Sequence, residues 1–273
     1  MKPSGVITLT TDFGLLDPYV AMMKGVILTV HSGARLIDVT HQIDPGAVSQ
    51  AAGLVRDTFP LFPAGTVHVA VVDPGVGSTR RPIAVAAAGH LFVGPDNGLL
   101  WPLIEAHAGA RVVHLTETRY FRPAVSKTFH GRDLFAPVGA HLSLGVGLEQ
   151  MGATITDPVR LPLPKPRRTG DCLVGQIVRI DHFGNLITNI HRSELERFLM
   201  AVPPIIEVGR QKIEGLGQAY SDVGPGELMA LFDSSDYLEL AVNMGRVTDA
   251  IDLNSDVILG SLVIVKKKGE RGS

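Results

Sequence analysis

Four short runs of β-branched and small apolar residues, at 5–11, 35–39, 66–72 and 83–88, are the feature that most limits the fold. Two stretches lie among them, 19–31 and 47–59, whose apolar side chains recur every three or four positions. Each run meets Asp, Gly or Pro at its end. A strand this apolar is buried on both faces and needs helices above and below it, so strand–helix–strand order predicts a layered α/β domain with a largely parallel sheet. Such sheets bind ligands where their strands end.

Around 158–171 the texture changes. The stretch PVRLPLPKPRRTGD holds four prolines and four basic residues without helical or strand period, and reads as a linker spanning 161–171. Runs at 173–180, 205–208, 228–232, 237–242 and 257–266 then read as strands separated by Gly- and Asp-rich turns. The expected architecture is an N-terminal α/β domain over 1–160 and a smaller, mostly-β, barrel-like domain over 172–273. The last eight residues read as a solvated tail.

Charge and cysteine content remove several classes. Twenty-five basic against 27 acidic side chains leave a formal charge of −2, so no global basic field holds a phosphate backbone and no nucleic-acid partner is expected. Cys172 is the only cysteine, which excludes an intramolecular disulfide framework and a Cys-rich zinc site. No run approaches the roughly 18 uninterrupted apolar residues of a membrane helix, and no signal-peptide core follows Met1. The expectation is a cytoplasmic protein without a membrane partner.

Familiar catalytic motifs fail on inspection. The turn at 75–80, GVGSTR, has Arg80 where a dinucleotide fingerprint needs its third glycine, and the chain contains no GxxxxGK[ST], GxSxG or HExxH. The Asp12-Phe13-Gly14 triplet lacks the other parts of a kinase. Three polar clusters at strand ends remain. In the first, Asp12 follows the opening strand, where a carboxylate suits either a ribose diol or the amides of a turn. In the second, Asp73 and Arg80 flank a glycine-rich turn, close enough for a buried ion pair that either staples the turn or tunes a reactive group. In the third, His130 precedes Gly131 at the start of a predicted helix, where imidazole and helix amides converge.

These segments, together with DVTH at 38–41, GPDNGLL at 94–100, DHFGN at 181–185 and YLELAVN at 237–243, resemble the S-adenosyl-L-methionine (SAM) hydroxide adenosyltransferases, kin of the fluorinating and chlorinating enzymes. The resemblance runs over nearly the whole chain and implies hydrolysis of SAM to adenosine and L-methionine, with SAM as substrate and neither cofactor nor metal. It implies that Asp73, Arg80 and His130 handle the nucleophile: His130 and Asp73 hold a water that loses its proton as it attacks, and Arg80 favours the developing hydroxide. It places Asp12 on the ribose, Asp96 and Asn97 near the nucleoside, Asp181 and Ser235 at the methionine end, Phe183 and Tyr220 against adenine and Asn185 at its edge, with Asn243 among the substrate contacts. It also implies a homotrimer with each site between subunits. The chain departs from the halogenating relatives at Asp236, where they carry a basic residue, and at Gly46, where they carry an aromatic one. Halide-dependent adenosyl transfer, a non-catalytic adenosine- or SAM-binding module and a metal-dependent hydrolase are the alternatives. An ionised Asp73 repels a halide, a binding module does not need all three polar residues, and no known metal-ligand spacing occurs.

Overall fold

The computed structural model describes residues 2–251 and 258–269, which divide into two units, Met1–Leu163 and Pro164–Ser273. The first unit contains β1 (Val6–Thr11), α1 (Tyr19–Val30), β2 (Arg35–Thr40), α2 (Val48–Thr58), β3 (Val67–Val71), β4 (Pro82–Ala87), β5 (His90–Pro95), α3 (Trp101–Ala106), β6 (Arg111–Leu115), α4 (Ala136–Ser143) and β7 (Gly152–Ile155). Its sheet runs β2-β1-β3-β5-β4-β6-β7. The β2-β1-β3-β5 half is parallel and the remainder antiparallel.

The period of two along β3 explains the layering. Val67, Val69 and Val71 enter one core with Met23 and Ile27 of α1 and Val138 and Leu142 of α4. Ala70 and Val72 enter the other with Ala51 and Val55 of α2 and Leu103 of α3. The parallel half therefore has both faces covered, and the carboxyl ends of β1, β3 and β5 deliver Asp12, Asp73 and Asp96 side by side along one rim of the sheet.

At the other end of the same strands lies a buried imidazole pair. His68, near the start of β3, bonds Thr8 Oγ1 through Nδ1 at 2.8 Å and His90 Nδ1 through Nε2 at 3.2 Å, and its ring stacks on Phe92 with centroids 4.9 Å apart. Burial, with His90 beside it, pushes the His68 pKa down to about 3. The unfolded chain then binds a proton that the folded chain refuses, so stability is whole above about pH 6.5 and falls as pH drops toward 3, by about 1.4 kcal/mol per unit for one such group. Urea unfolding between pH 7 and 5 should show this slope, and His68→Gln should flatten it. Parallel curves for the two proteins would exclude His68 as its source.

The second unit contains β8 (Arg167–Thr169), β9 (Cys172–Ile180), β10 (Leu186–His191), α5 (Arg192–Leu199), β11 (Pro204–Val208), β12 (Gln211–Glu214), β13 (Leu228–Phe232), β14 (Tyr237–Val242), α6 (Val247–Ala250) and β15 (Leu262–Lys267). All its pairings are antiparallel, in the order β12-β11-β15-β9-β10-β14-β13 with β8 on β9. The sheet curls almost shut, the Gly217 amide reaching the Ala230 carbonyl of β13 at 2.9 Å.

The Pro-rich stretch differs from the linker expected at 161–171. Its start packs on the first unit: the Val159 amide donates to Asp96, the Arg160 guanidinium lies 5.3 Å from the Trp101 ring centre, and Leu161 fills the space beside Gly98. Its end is β8, a strand despite its charge because Arg167–Thr169 pairs with Cys172–Val174 across a tight turn. Proline denied these residues a period, but pairing needs only the amides that remain. The expected strand at 257–266 begins at Leu262 among the described residues; Val257 and the expected tail beyond residue 269 lie outside them.

Candidate active site

The turn between β3 and β4 sets the first two groups. Arg80 donates from Nε to Asp73 Oδ1 at 2.9 Å and from Nη2 to Asp73 Oδ2, a bidentate pair whose side chains are only 9% and 4% exposed. The turn is tight because Ser78 Oγ bonds the Gly75 carbonyl at 2.6 Å and accepts the Arg80 amide at 3.2 Å. Gly77 has φ +77°, and a Cβ there would lie 2.3 Å from the Lys127 carbonyl oxygen. Only glycine lets the two backbones approach so closely.

His130 arrives from fifty residues further on. Its Nδ1 lies 2.8 Å from Arg80 Nη2. A guanidinium only donates, so Nδ1 is the acceptor, and the neutral ring carries its proton on Nε2. The ring is kept neutral because burial and then the Arg80 charge lower its pKa, against the opposing pull of Asp73 and Asp133. His130 leads into a π-helical turn, Gly131–Phe135, continuous with α4. Gly131 is tightly packed: a Cβ there would press within 3.2 Å of the Phe13 ring and 3.3 Å of Met23 Sδ, so both side chains would have to give way. The Arg80 guanidinium also lies 5.3 Å from the Phe135 ring centre, a cation–π contact. Among the described residues its buried Nη1 has no hydrogen-bond partner and so keeps a donor to give.

The other first-unit residues are placed as follows. Asp12 accepts the Gly46 amide through Oδ2 at 2.8 Å. Asp96 is 3% exposed and spends both oxygens internally, Oδ2 on Arg81 at 2.7–2.9 Å and Oδ1 on the Val159 amide at 2.8 Å. Asn97 bonds the Val72 carbonyl at 2.8 Å and so fixes the backbone just before Asp73. Both side chains thus find partners within the first unit, Arg81 and the Val159 amide for Asp96 and the Val72 carbonyl for Asn97.

In the second unit, Asp181 holds Asn185, taking its amide at 2.8 Å and its side-chain nitrogen at 3.1 Å. Phe183 is 70% exposed and Tyr220 46% exposed. The Tyr220 hydroxyl donates to Glu239 at 2.9 Å. Ser235 lies in the β13–β14 turn with its amide on Asp233 at 2.9 Å, and Asn243 bonds the Val223 carbonyl at 2.7 Å. Asp236, at φ +62°, accepts Arg192 Nε at 2.6 Å.

Three groups escaped the sequence reading. His41 is 3% exposed, with Nδ1 2.8 Å from Thr11 Oγ1 and Nε2 3.0 Å from Asp38 Oδ1. This puts a buried imidazole behind the strand end that carries Asp12. Glu239 is buried in β14, and burial raises its pKa. Asp133 is fully buried in the π turn. His41 and Glu239 lie within strings already quoted and Asp133 is three residues past His130, but a string says nothing of which side chain turns inward. Among the described residues no group of three His, Cys, Asp or Glu side chains is arranged to hold a metal ion, and no helix is long and apolar enough to cross a membrane.

Residues 7–152 match the family described as SAM hydroxide adenosyltransferase N-terminal domain, and residues 175–257 match its C-terminal domain. The chain is 42% identical over 254 residues to the (R)-S-adenosyl-L-methionine hydrolase of Salinispora tropica, covering 92% of this chain and 95% of that one. It is 36% identical to the protein of the same name from Thermus thermophilus, over 93% and 96% of the two chains. A fluorinase from Nocardia brasiliensis is 28% identical over 92% and 95%. Among solved structures, an uncharacterized conserved protein from Thermotoga maritima superposes with a TM-score of 0.89 at 33% identity, over 96% of this chain and all of that one.

Proposed function

The chain belongs to the SAM hydroxide adenosyltransferase family, and from that premise we infer that it is an enzyme that hydrolyses SAM to adenosine and L-methionine by attack of water at C5′. The observation that carries the reading to particular residues is the hydrogen-bonded Asp73–Arg80–His130 set at the end of β3.

The chemistry asks little of the leaving group. The oxygen of water forms a bond to C5′ as the C5′–S bond breaks, its electron pair neutralises the sulfonium, and methionine departs as a thioether without protonation. Only the nucleophile needs help. His130 Nδ1 is committed to Arg80, so His130 acts through Nε2–H, donating to the attacking oxygen and fixing its direction. The proton leaving that water passes to Asp73, whose oxygens each keep a lone pair beyond the Arg80 bonds, and from there to solvent. Arg80, through its unpaired Nη1, stabilises the hydroxide character that develops. The water is thus held by His130 as donor and Asp73 as acceptor, because Nδ1 of His130 is taken by Arg80.

Substrate contacts belong to the same proposal. Asp12, steadied by the Gly46 amide, takes the ribose hydroxyls. Asp96 and Asn97 shape the end of β5 around the nucleoside through the internal bonds they make. The exposed rings of Phe183 and Tyr220 offer faces for adenine, with Asn185 at its edge, while Asp181, Ser235 and Asn243 serve the methionine end. The reading needs no cofactor or metal. A cytoplasmic homotrimer is carried with it, and light scattering of the purified protein tests the assembly.

Product analysis tests the reaction. In heavy-oxygen water containing chloride, SAM should yield adenosine labelled at its 5′ hydroxyl plus unlabelled methionine, because a carboxylate beside the nucleophile disfavours an anion. Formation of 5′-chloro-5′-deoxyadenosine without adenosine would overturn the hydrolytic reading.

A further inference from the structure

We propose that Asp133 is a positioning residue for this reaction: from the π turn it ties down the arm 122–129 and thereby sets where His130 meets Arg80. The proposal rests on the role given to His130 above.

Asp133 has no exposed surface, and such a charge persists inside a protein only with its partners in place. Four donors converge on it. Arg132 donates from Nε to Oδ1 at 2.6 Å and from Nη2 to Oδ2 at 2.8 Å; Arg122 Nη1 reaches Oδ1 at 3.0 Å, and the Ser126 amide reaches Oδ2 at 2.9 Å. Its backbone is held as well, the Arg122 amide donating to its carbonyl at 2.9 Å and its own amide to the Phe129 carbonyl at 3.1 Å. One residue therefore gathers the beginning, middle and end of the arm.

The arm touches both partners of the His130–Arg80 bond. His130 is its next residue. Lys127 rests its carbonyl against Gly77, in the turn whose Ser78 hydroxyl holds the Arg80 amide. Releasing Asp133 would free the arm from one side of this contact and His130 from the other. The π turn agrees with this: such turns are rare and frequently occur at functional sites. Here it brings His130 and Asp133 onto one short, fully anchored segment. The charged groups acting on His130 are Arg80, Asp73 and Asp133 itself.

The test compares Asp133→Asn with Arg122→Met, the latter at a side chain 42% exposed and so tolerable to the fold, and with His130→Ala. Asp133→Asn should lose about 10- to 100-fold in kcat with KM for SAM held within about twofold, since a small misplacement of a reacting group is enough for such a loss. The acid limb of its pH profile should move to lower pH, because the Asp133 charge favours His130 protonation and neutral His130 is the active form. A merely structural residue would not move that limb. Arg122→Met should lose several-fold in kcat at unchanged KM, and it decides the matter if Asp133→Asn does not fold. An unchanged kcat, a rise in KM alone, or an unmoved acid limb in Asp133→Asn overturns the proposal, as does full kcat in Arg122→Met. A His130→Ala protein at full rate overturns the reading of His130 and this proposal with it. A crippled His130→Ala beside a full-rate Asp133→Asn overturns this proposal alone.

Discussion

Asp73→Asn protein should turn over SAM on the order of 10³-fold more slowly than the parent, the range for a positioned base, with KM changed by no more than a few-fold. The carboxylate faces two guanidinium donors, and an amide can accept from only one of them while presenting its own N–H to the other. The substitution thus removes the proton acceptor and also unsettles Arg80, which costs stability because the ion pair is buried. Affinity should survive, since neither effect touches the nucleoside. Steady-state kinetics with a parallel measurement of SAM binding separates the two, and thermal melting shows whether the variant is folded at the assay temperature. If kcat stayed within about twofold, a barrier change of roughly 0.4 kcal/mol, Asp73 could not be the base.

Arg80→Lys should be nearly as damaging, by about 10²-fold in kcat, although it keeps the charge. One guanidinium spans both oxygens of Asp73 and also donates to His130 Nδ1, all from a rigid plane. An ammonium is a single point on a flexible stem and cannot meet three acceptors in those directions. Once Nδ1 is released, His130 no longer has a partner that selects its tautomer, and Nε2 carries a proton in only part of the population. Carbon-bound proton shifts of the His130 ring would report the change in tautomer directly. Parental kcat in the Arg80→Lys protein would show that charge alone matters and that the fork does not.

The second prediction depends on His130 meeting Arg80 from fifty residues away, and this marks where sequence reading stops. Local periods carried the first domain a long way. The alternation of 3.6 and 2.0 in the first ninety residues pointed to a layered α/β unit, and Asp12 and Asp73 could be placed at strand ends because each follows an apolar run. Those features are legible because backbone geometry imposes them within a few residues. Spacing allowed the Asp73–Arg80 pair, and the strings shared with a known family extended the reading to His130 as a residue, though not to its bond with Arg80.

The antiparallel half of the first sheet was harder to see. β5 reads HLFVGP, and its histidine, glycine and proline hide a strand that becomes evident only when β3 and β4 pair with it from both sides. β8 escaped for the same reason, since strand pairing is a contact between segments rather than a pattern within one. In the site, sequence spacing left open whether Asp73 and Arg80 formed a staple or a reactive pair. What the structure adds is His130, whose approach makes Arg80 a bridge between acid and imidazole and supports the reactive reading proposed above. Asp96 and Asn97 show the converse. Their motif marks them as readily as Asp73 is marked, yet each found an inward partner, Arg81 or the Val72 carbonyl, that no spacing rule contains.

Chain order and local pattern were thus enough to put particular chemical groups at the rim of the sheet. Which donor each acceptor receives was settled by packing alone, and with it the tautomer of His130. The physical reason is competition: a buried polar group must find a partner, several are within reach of the same strand ends, and the choice depends on how α1, α4 and the 122–133 arm pack around them.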